Sequence, residues 1–165
     1  MNQKLDQLRV LIVDDNQHMR TIVGAILKSA GITSIREAGN GAQALMLLKD
    51  FPADLAIVDL QMAPMDGLEF TRQLRKSSAL KPDLPIIMMT GHADQARVVL
   101  ARDAGVNEFL VKPVTAKGVF DRINAAVFKP RNFVKAPTYL GPDRRRVVLL
   151  DDDTPKRRAS DAKGW

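Results

Sequence analysis

The chain of 165 residues contains no cysteine, and only 5% of its residues are aromatic. Disulfide bridges and thiolate metal sites are therefore excluded, and the two histidines, His18 and His92, lie too far apart in the sequence to suggest a zinc site. The C-terminal aromatics, Phe133, Tyr139 and Trp165, do not alternate with basic residues. A stacking platform for single-stranded nucleic acid is therefore not indicated.

Long hydrophobic runs are also missing. A membrane-spanning helix needs about 20 consecutive apolar residues, and no stretch of the sequence approaches that length. Near the N-terminus, Lys4 and Asp6 precede only the short apolar run Val10–Val13, which is not the pattern of a signal peptide. We therefore expect a soluble, cytoplasmic protein with no membrane partner.

The net charge of +6 is unevenly distributed. Residues 1–128 carry 15 basic and 14 acidic side chains (+1), whereas residues 129–165 carry 10 and 5 (+5). The basic character therefore belongs to the C-terminal part and does not indicate nucleic acid binding by the whole chain.

Five short apolar runs alternate with amphipathic stretches along residues 1–128. The runs predict strands over RVLIV, SIREA, LAIVD, PIIMMT and EFLVK, and the stretches predict helices over 18–31, 41–51, 67–78, 94–105 and 116–128. Repeated strand–helix alternation predicts a parallel sheet with helices on both faces. Five such units fit a small doubly wound α/β fold rather than an eight-stranded barrel.

The alternation stops after Phe128. Residues 129–165 contain four prolines and several charge runs, with no helical period. We interpret 1–128 as one domain and 129–165 as a basic extension without a core of its own.

Polar residues stand where four of the predicted strands end. Asp14 and Asp15 follow strand one, Asp59 ends strand three, Thr90 ends strand four and Lys112 ends strand five. Because ligands of open α/β sheets bind at the carboxyl ends of the strands, we expect these side chains to converge.

Such a cluster does not serve stability, because two carboxylates about 4 Å apart repel each other by roughly 4 kcal/mol at an effective dielectric constant near 20. One lysine offsets part of this charge, and a divalent cation would offset the rest. Since the available ligands are oxygens, Mg²⁺ is the expected cation. A carboxylate in this setting can act as a nucleophile towards phosphorus, with the metal and the ammonium neutralising the phosphoryl oxygens.

Each of these residues alone has an ordinary interpretation. Asp14, Asp15 or Asn16 could cap the following helix, Asp59 could form a turn, and Lys112 could be a solvated surface charge. Their joint occurrence at four strand ends favours the functional interpretation.

The motifs VDDN, VDLQMAPMDG, MMTGHAD and FLVKP, in this order and at this spacing, resemble the receiver domain of two-component response regulators of the chemotaxis-regulator type. The resemblance covers residues 5–128. It implies a flavodoxin-like sheet of strand order 2-1-3-4-5. It also implies that Asp59 accepts a phosphoryl group from a kinase phosphohistidine.

The resemblance assigns further roles. Asp15, Asp59 and the backbone carbonyl of Gln61 would ligate Mg²⁺, with Asp14 acting mainly through metal-bound water. Side chains at the positions of Gln61 and His92 tune dephosphorylation in this family.

On the other side of the site, Thr90 and Lys112 would contact the phosphoryl group. Phe109 would be the aromatic switch that moves with Thr90, and the Lys112–Pro113 bond would be cis. One departure concerns the loop after strand three, where Ala63 occupies the family's usual proline position and Pro64 follows.

The function implied is a stand-alone response regulator that catalyses no reaction other than its own phosphorylation and dephosphorylation. Its partners would be a sensor histidine kinase or phosphotransfer protein and a downstream protein. The downstream partner would bind the face formed by helix four, strand five and helix five, for which the candidates are Arg97, Arg102, Phe109 and Lys117.

The extension offers a second docking segment for a partner or a second copy of the chain, with Phe133, Val134, Tyr139 and Val147–Leu150 as apolar anchors. Alternatives are a phosphate sink or relay, and a transcription regulator whose basic tail contacts DNA, against which Asp151–Asp153 argue. An aspartate-nucleophile phosphatase would need a second acid where Gln61 stands.

Overall fold

The computed structural model describes residues 4–91, 95–136 and 139–143. Seven strands are present in this part of the chain: β1 Arg9–Val13, β2 Ser34–Ala38, β3 Leu55–Asp59, β4 Ile86–Thr90, β5 Glu108–Val111, β6 Phe133–Ala136 and β7 Tyr139–Pro142. The helices are α1 Gln17–Ser29, α2 Gly41–Leu47, α3 Gly67–Lys76, α4 Gln95–Ala104 and α5 Ala116–Ile123.

Strands β1 to β5 form one parallel sheet in the order β2-β1-β3-β4-β5. This confirms the predicted fold and strand order. The central strands β3 and β4 are buried along their whole length, which explains why their sequences are apolar without alternation.

Helices cover both faces of the sheet and enclose two cores. On one face α1 and α5 bury Val23, Leu27, Val119 and Ile123 against the sheet. On the other, residues of α2, α3 and α4 pack around Phe70. The sheet is therefore held from both sides, and its carboxyl edge presents the loops that follow β1, β3, β4 and β5.

Two helices end at least four residues earlier than predicted. Helix α2 was expected to reach Phe51 but ends at Leu47, because the chain tightens into hydrogen bonds from Lys49 to Met46 and from Asp50 to Leu47 ahead of Pro52. Helix α5 was expected to reach Phe128, but its last turn, Asn124–Phe128, widens into a π-turn.

The extension contains an antiparallel hairpin, β6–β7, that the sequence did not predict. The hairpin packs on the C-terminal ends of α3 and α4. The Phe133 ring lies 5.3 Å from the guanidinium carbon of Arg75, near the end of α3. Phe133 and Tyr139, proposed as anchors for a partner, therefore pack within the chain itself, whereas Val147–Leu150 lie outside the described residues.

Candidate functional site

The acidic pair stands where β1 leaves the sheet. Asp14 is fully buried, its backbone N–H donates to the carbonyl of Ala38, and its carboxylate Oδ1 accepts from the backbone N–H of Asn16 at 2.9 Å. Asp15 is exposed. Asn16 itself caps α1 by accepting from the first free N–H groups of the helix, so neither aspartate is needed as a cap.

The third carboxylate comes from the end of β3. Asp59 is 5% exposed, and oxygen atoms of Asp14, Asp15 and Asp59 all lie within 4.8 Å of one another. The ammonium of Lys112 lies 3.0 Å from Asp59 Oδ1. The structure therefore brings together four of the five residues predicted at strand ends, and these four come from three separate segments of the chain.

Thr90 lies beside this cluster, and Phe109 lies on the neighbouring strand β5, opposite Met88. Asp59 is paired with Met89, so Thr90 stands one residue further along the same edge, where it is 2% exposed and its carbonyl accepts from the Lys112 N–H at 2.8 Å. Phe109 is partly buried against the core that contains α3 and α4. The Lys112–Pro113 bond is cis, as expected.

Burial dominates the electrostatics of the site. It raises the pKa of Asp14 to about 6, against the opposing effect of the Asn16 N–H, and the charges of Asp59 and Asp15 add to the increase. Burial also raises the pKa of Asp59, opposed by Lys112 and by the backbone N–H of Gln61. Three carboxylates face one ammonium, so the cluster carries excess negative charge once it ionises.

The site fits a divalent cation. Asp14 Oδ2 is buried and has no hydrogen-bond partner among the described residues. A buried acceptor without a donor is costly, and a cation or its water ligand would satisfy it. Because every side chain of the cluster offers a carboxylate oxygen, a hard ion such as Mg²⁺ suits it.

Arg20 is a site residue that the sequence did not reveal. From the second turn of α1 its guanidinium donates to the backbone carbonyl of Asp14 at 2.6 Å and to Glu37 Oε1 at 3.1 Å. It therefore fixes the backbone that carries the acidic pair. Arginines of amphipathic helices usually lie on the solvent-exposed face. The position of Arg20 in the sequence therefore did not indicate a role in the site.

Three further candidates are Gln61, His92 and Arg97. Gln61 is exposed in the loop after β3, where the Ala63–Pro64 bond is cis, and His92 lies outside the described residues. On α4, Arg97 pairs with Asp66, the N-cap of α3, at 2.9 Å.

The last two basic candidates pair within their own helices. Arg102 lies 3.4 Å from Asp103 on α4, and Lys117 lies 2.6 Å from Asp121 on α5. Helix α5 packs on β5, and α4 precedes β5 in the chain. The partner face formed by these elements stays a prediction.

The sequence profile that describes the response regulator receiver domain matches residues 10–124, which include every residue of this cluster. The chain belongs to the response regulator receiver family. The predicted family is thereby confirmed, and the architecture described above is that of a receiver domain.

Curated relatives of this receiver include chemotaxis regulators. It is 36% identical to the chemotaxis protein CheY of Pseudomonas aeruginosa, over 71% of this chain and 99% of that protein. It is 35% identical to the chemotaxis protein CheY-3 of Vibrio cholerae, over 71% of this chain and 89% of that protein. The receiver is thus similar to chemotaxis regulators over nearly their whole length.

Among solved structures, this chain is similar to the receiver domain of a sensor histidine kinase from Pseudomonas aeruginosa. That receiver domain has a magnesium ion coordinated in its active-site cleft. The TM-score is 0.66 with 26% identity, over 73% of this chain and 98% of that one. The family match ends at residue 124, before the hairpin begins. No helix in the described part of the chain is long and apolar enough to cross a membrane.

Proposed function

We propose that this receiver is a phosphoacceptor switch of two-component signalling in which Asp59 takes a phosphoryl group from a phosphohistidine. The observation that carries the proposal is the convergence of Asp14, Asp15 and Asp59 within 4.8 Å, with the Lys112 ammonium 3.0 Å from Asp59. Three carboxylates at one edge of the sheet repel one another, so a stabilising role does not explain them.

Asp59 is the nucleophile of this scheme. One of its carboxylate oxygens forms a bond to phosphorus, the bond from phosphorus to the donor's imidazole nitrogen breaks, and its electron pair stays on that nitrogen. Lys112 then contacts a phosphoryl oxygen, and the Thr90 hydroxyl donates to another. Movement of Thr90 would be passed to Phe109, which lies on the neighbouring strand.

Asp15, Asp59 and the Gln61 carbonyl would hold Mg²⁺, with Asp14 holding its water. When bound, Mg²⁺ would supply positive charge that offsets the charge of the transferring phosphoryl group. The magnesium in the similar histidine kinase receiver supports this cofactor. Gln61 and His92 would set the lifetime of the phosphorylated state.

The state of Asp59 would be read by protein contact at the face formed by α4, β5 and α5, in the cytoplasm. The chain would catalyse only its own phosphorylation and dephosphorylation. This is supported by the sequence, in which Gln61 stands two residues after Asp59, where a phosphatase would need a second acid.

The test is phosphorylation of the full chain by acetyl phosphate with Mg²⁺. Borohydride reduces an acyl phosphate on aspartate to homoserine, and mass spectrometry then locates the residue. We expect homoserine at position 59, dependent on Mg²⁺ and absent from Asp59→Asn, whereas Asp50→Asn, at an exposed aspartate, serves as the matched control. Homoserine at another position, or homoserine at position 59 that forms without Mg²⁺, would contradict the proposal.

A further inference from the structure

A groove of about 650 Å³ lies between the hairpin and the C-terminal halves of α3 and α4. Its lining includes Arg72 and Lys76 of α3, Leu100 and Asp103 of α4, and Lys135 and Leu140 of the hairpin. The hairpin contacts the residues that precede β5, so the groove lies at the edge of the sheet opposite Asp59. It shares no residue with the acidic cluster.

The hairpin wall of the groove is held by close packing. A Cβ atom on Gly141 would lie 2.7 Å from Gly105 Cα, and one on Gly105, whose φ is +107°, would lie 2.6 Å from the Leu140 carbonyl oxygen. Only glycine permits this approach. Arg131 adds hydrogen bonds to the carbonyls of Asn107 and Asp143. A ligand would therefore meet a preformed wall and lose little free energy in ordering it.

The rim of the groove is positively charged. Arg72, Lys76 and Lys135 are exposed, and none of them has an ion-pair partner in the part of the chain that the structure describes. Asp103 is the one acid among the described lining residues, and it lies 3.4 Å from Arg102. Clustered cations of this kind attract an anionic ligand.

Beneath the rim lies a fourth cation. Arg75 is 3% exposed, and its N–H groups donate to three backbone carbonyls and to the Asn107 amide oxygen rather than to a carboxylate. Its charge therefore adds to the positive potential of the groove.

The groove also has an apolar side. Leu100 is 48% exposed and lies beside Ala104 and Leu140. Nucleic acid would offer phosphates and flat bases for stacking, yet Tyr139 is the one aromatic residue among the described lining residues, and the rest of the apolar lining is aliphatic. Aliphatic surface among cations is better matched by acidic residues that flank an apolar side chain.

We propose that this groove, defined by α3, α4 and the β6–β7 hairpin, binds an acidic peptide segment of a partner protein. The carboxylates of the segment pair with Arg72, Lys76 and Lys135, and its apolar side chain packs on Leu100. The site is independent of phosphorylation chemistry, so it goes beyond the proposed function.

The experiment measures fluorescence anisotropy of a fluorescein-labelled synthetic peptide in which three glutamates flank a central Leu-Phe pair on each side. The full chain is compared with the triple variant Arg72→Glu/Lys76→Glu/Lys135→Glu. The matched control reverses three exposed lysines elsewhere, Lys4→Glu/Lys28→Glu/Lys49→Glu, and so changes the net charge equally. Circular dichroism confirms that each variant is folded.

We expect the groove variant to lose at least about tenfold in affinity, and the control variant to stay within about twofold of the unchanged chain. Leu100→Asn is expected to abolish the preference for this peptide over one with Ser-Ser at its centre. Asp59→Asn is expected to bind normally, which separates this proposal from the phosphoacceptor role.

Three results would overturn the proposal. These are absence of binding to the unchanged chain, equal loss in both triple variants, and tighter groove-dependent binding of a DNA duplex, which would assign the groove to nucleic acid.

Discussion

Burial makes the ionised form of Asp14 unfavourable, and the stability of the protein should depend on pH for that reason. Its pKa in the folded state, about 6, lies above the unfolded value near 3.8. The folded state therefore binds more protons between these values, and the free energy of unfolding falls as pH rises from about 4 to about 6. Without divalent cations, Asp14→Asn should stabilise the protein at pH 7.5 by roughly 1–3 kcal/mol, and much less at pH 4.

Urea unfolding in EDTA at both pH values measures this effect. Asp50→Asn is the control, because Asp50 is exposed and distant from the acidic cluster. Equal stabilisation by Asp14→Asn at both pH values would show that the carboxylate charge is not responsible. Added Mg²⁺ should stabilise the unchanged chain more than the variant, because it binds the folded state with these carboxylates.

Two glycines should respond oppositely to the same substitution. At Gly67, the first residue of α3, a Cβ atom would lie 2.5 Å from the Asp59 carbonyl oxygen and 2.7 Å from Met88 Sδ. Gly67→Ala should therefore destabilise the protein by roughly 2 kcal/mol. At Gly24 in α1 the nearest atom is 4.0 Å away, and Gly24→Ala should stabilise it by about 0.5–1 kcal/mol.

Thermal unfolding separates the two variants by the sign of the change in melting temperature. The Gly67→Ala shift should be accompanied by slower phosphorylation, since the displaced backbone carries Asp59. A Gly67→Ala variant as stable as the unchanged chain would disprove this close contact.

At the scale of elements, Arg75 joins four segments. From the end of α3 it donates to the carbonyls of Pro82 and Leu84 before β4 and of Gly105 after α4, and its guanidinium faces the hairpin residue Phe133. Arg75→Ala would leave these buried carbonyls unsatisfied, so we expect a loss of about 3 kcal/mol or more in urea unfolding. Arg72→Ala, one turn earlier and exposed, should change stability by less than about 0.5 kcal/mol.

The contrast between these arginines shows what could be predicted from the sequence. Strands β1, β3 and β4 were predicted because their apolar runs reflect burial on both faces. Asp14 and Asp59 were predicted because they stand at the ends of such runs, and Lys112 because it follows the apolar run of β5. Arg72 and Arg75 are both arginines of α3 with similar neighbours in the sequence, and the burial of Arg75 depends on segments that lie distant along the chain. Local pattern cannot distinguish the two.

The hairpin was missed for a related reason. Strand β6 has one short apolar pair, Phe133 and Val134, and β7 contains Gly141 and ends in Pro142, so neither has the apolar pattern of a predicted strand. Two such short strands are marginal in isolation, and this pair gains its stability from packing on α3, α4 and Gly105. Tertiary contacts of this kind leave no periodic signal.

At the scale of the whole molecule, the sheet separates two sites. The acidic cluster stands at the carboxyl ends of β1 and β3, and the hairpin packs against Arg75 and against Gly105, which precedes β5. Strands β4 and β5 and helix α4 run between them. Because the hairpin packs on Gly105 and on Arg75, which itself bonds the segments before β4 and after α4, the hairpin should unfold together with the receiver rather than as a separate unit.

Tyr139 allows this cooperativity to be measured, because it is the single tyrosine of the chain and lies in β7. Incorporation of 3-fluorotyrosine gives one ¹⁹F resonance that reports the hairpin, while far-ultraviolet circular dichroism reports the helices. In a urea titration we expect both signals to change at the same midpoint, and Arg75→Ala to lower both midpoints together. If the ¹⁹F resonance reached its unfolded position at lower urea than the helical signal, the hairpin would be a separately unfolding appendage, and the groove it forms would not be preformed.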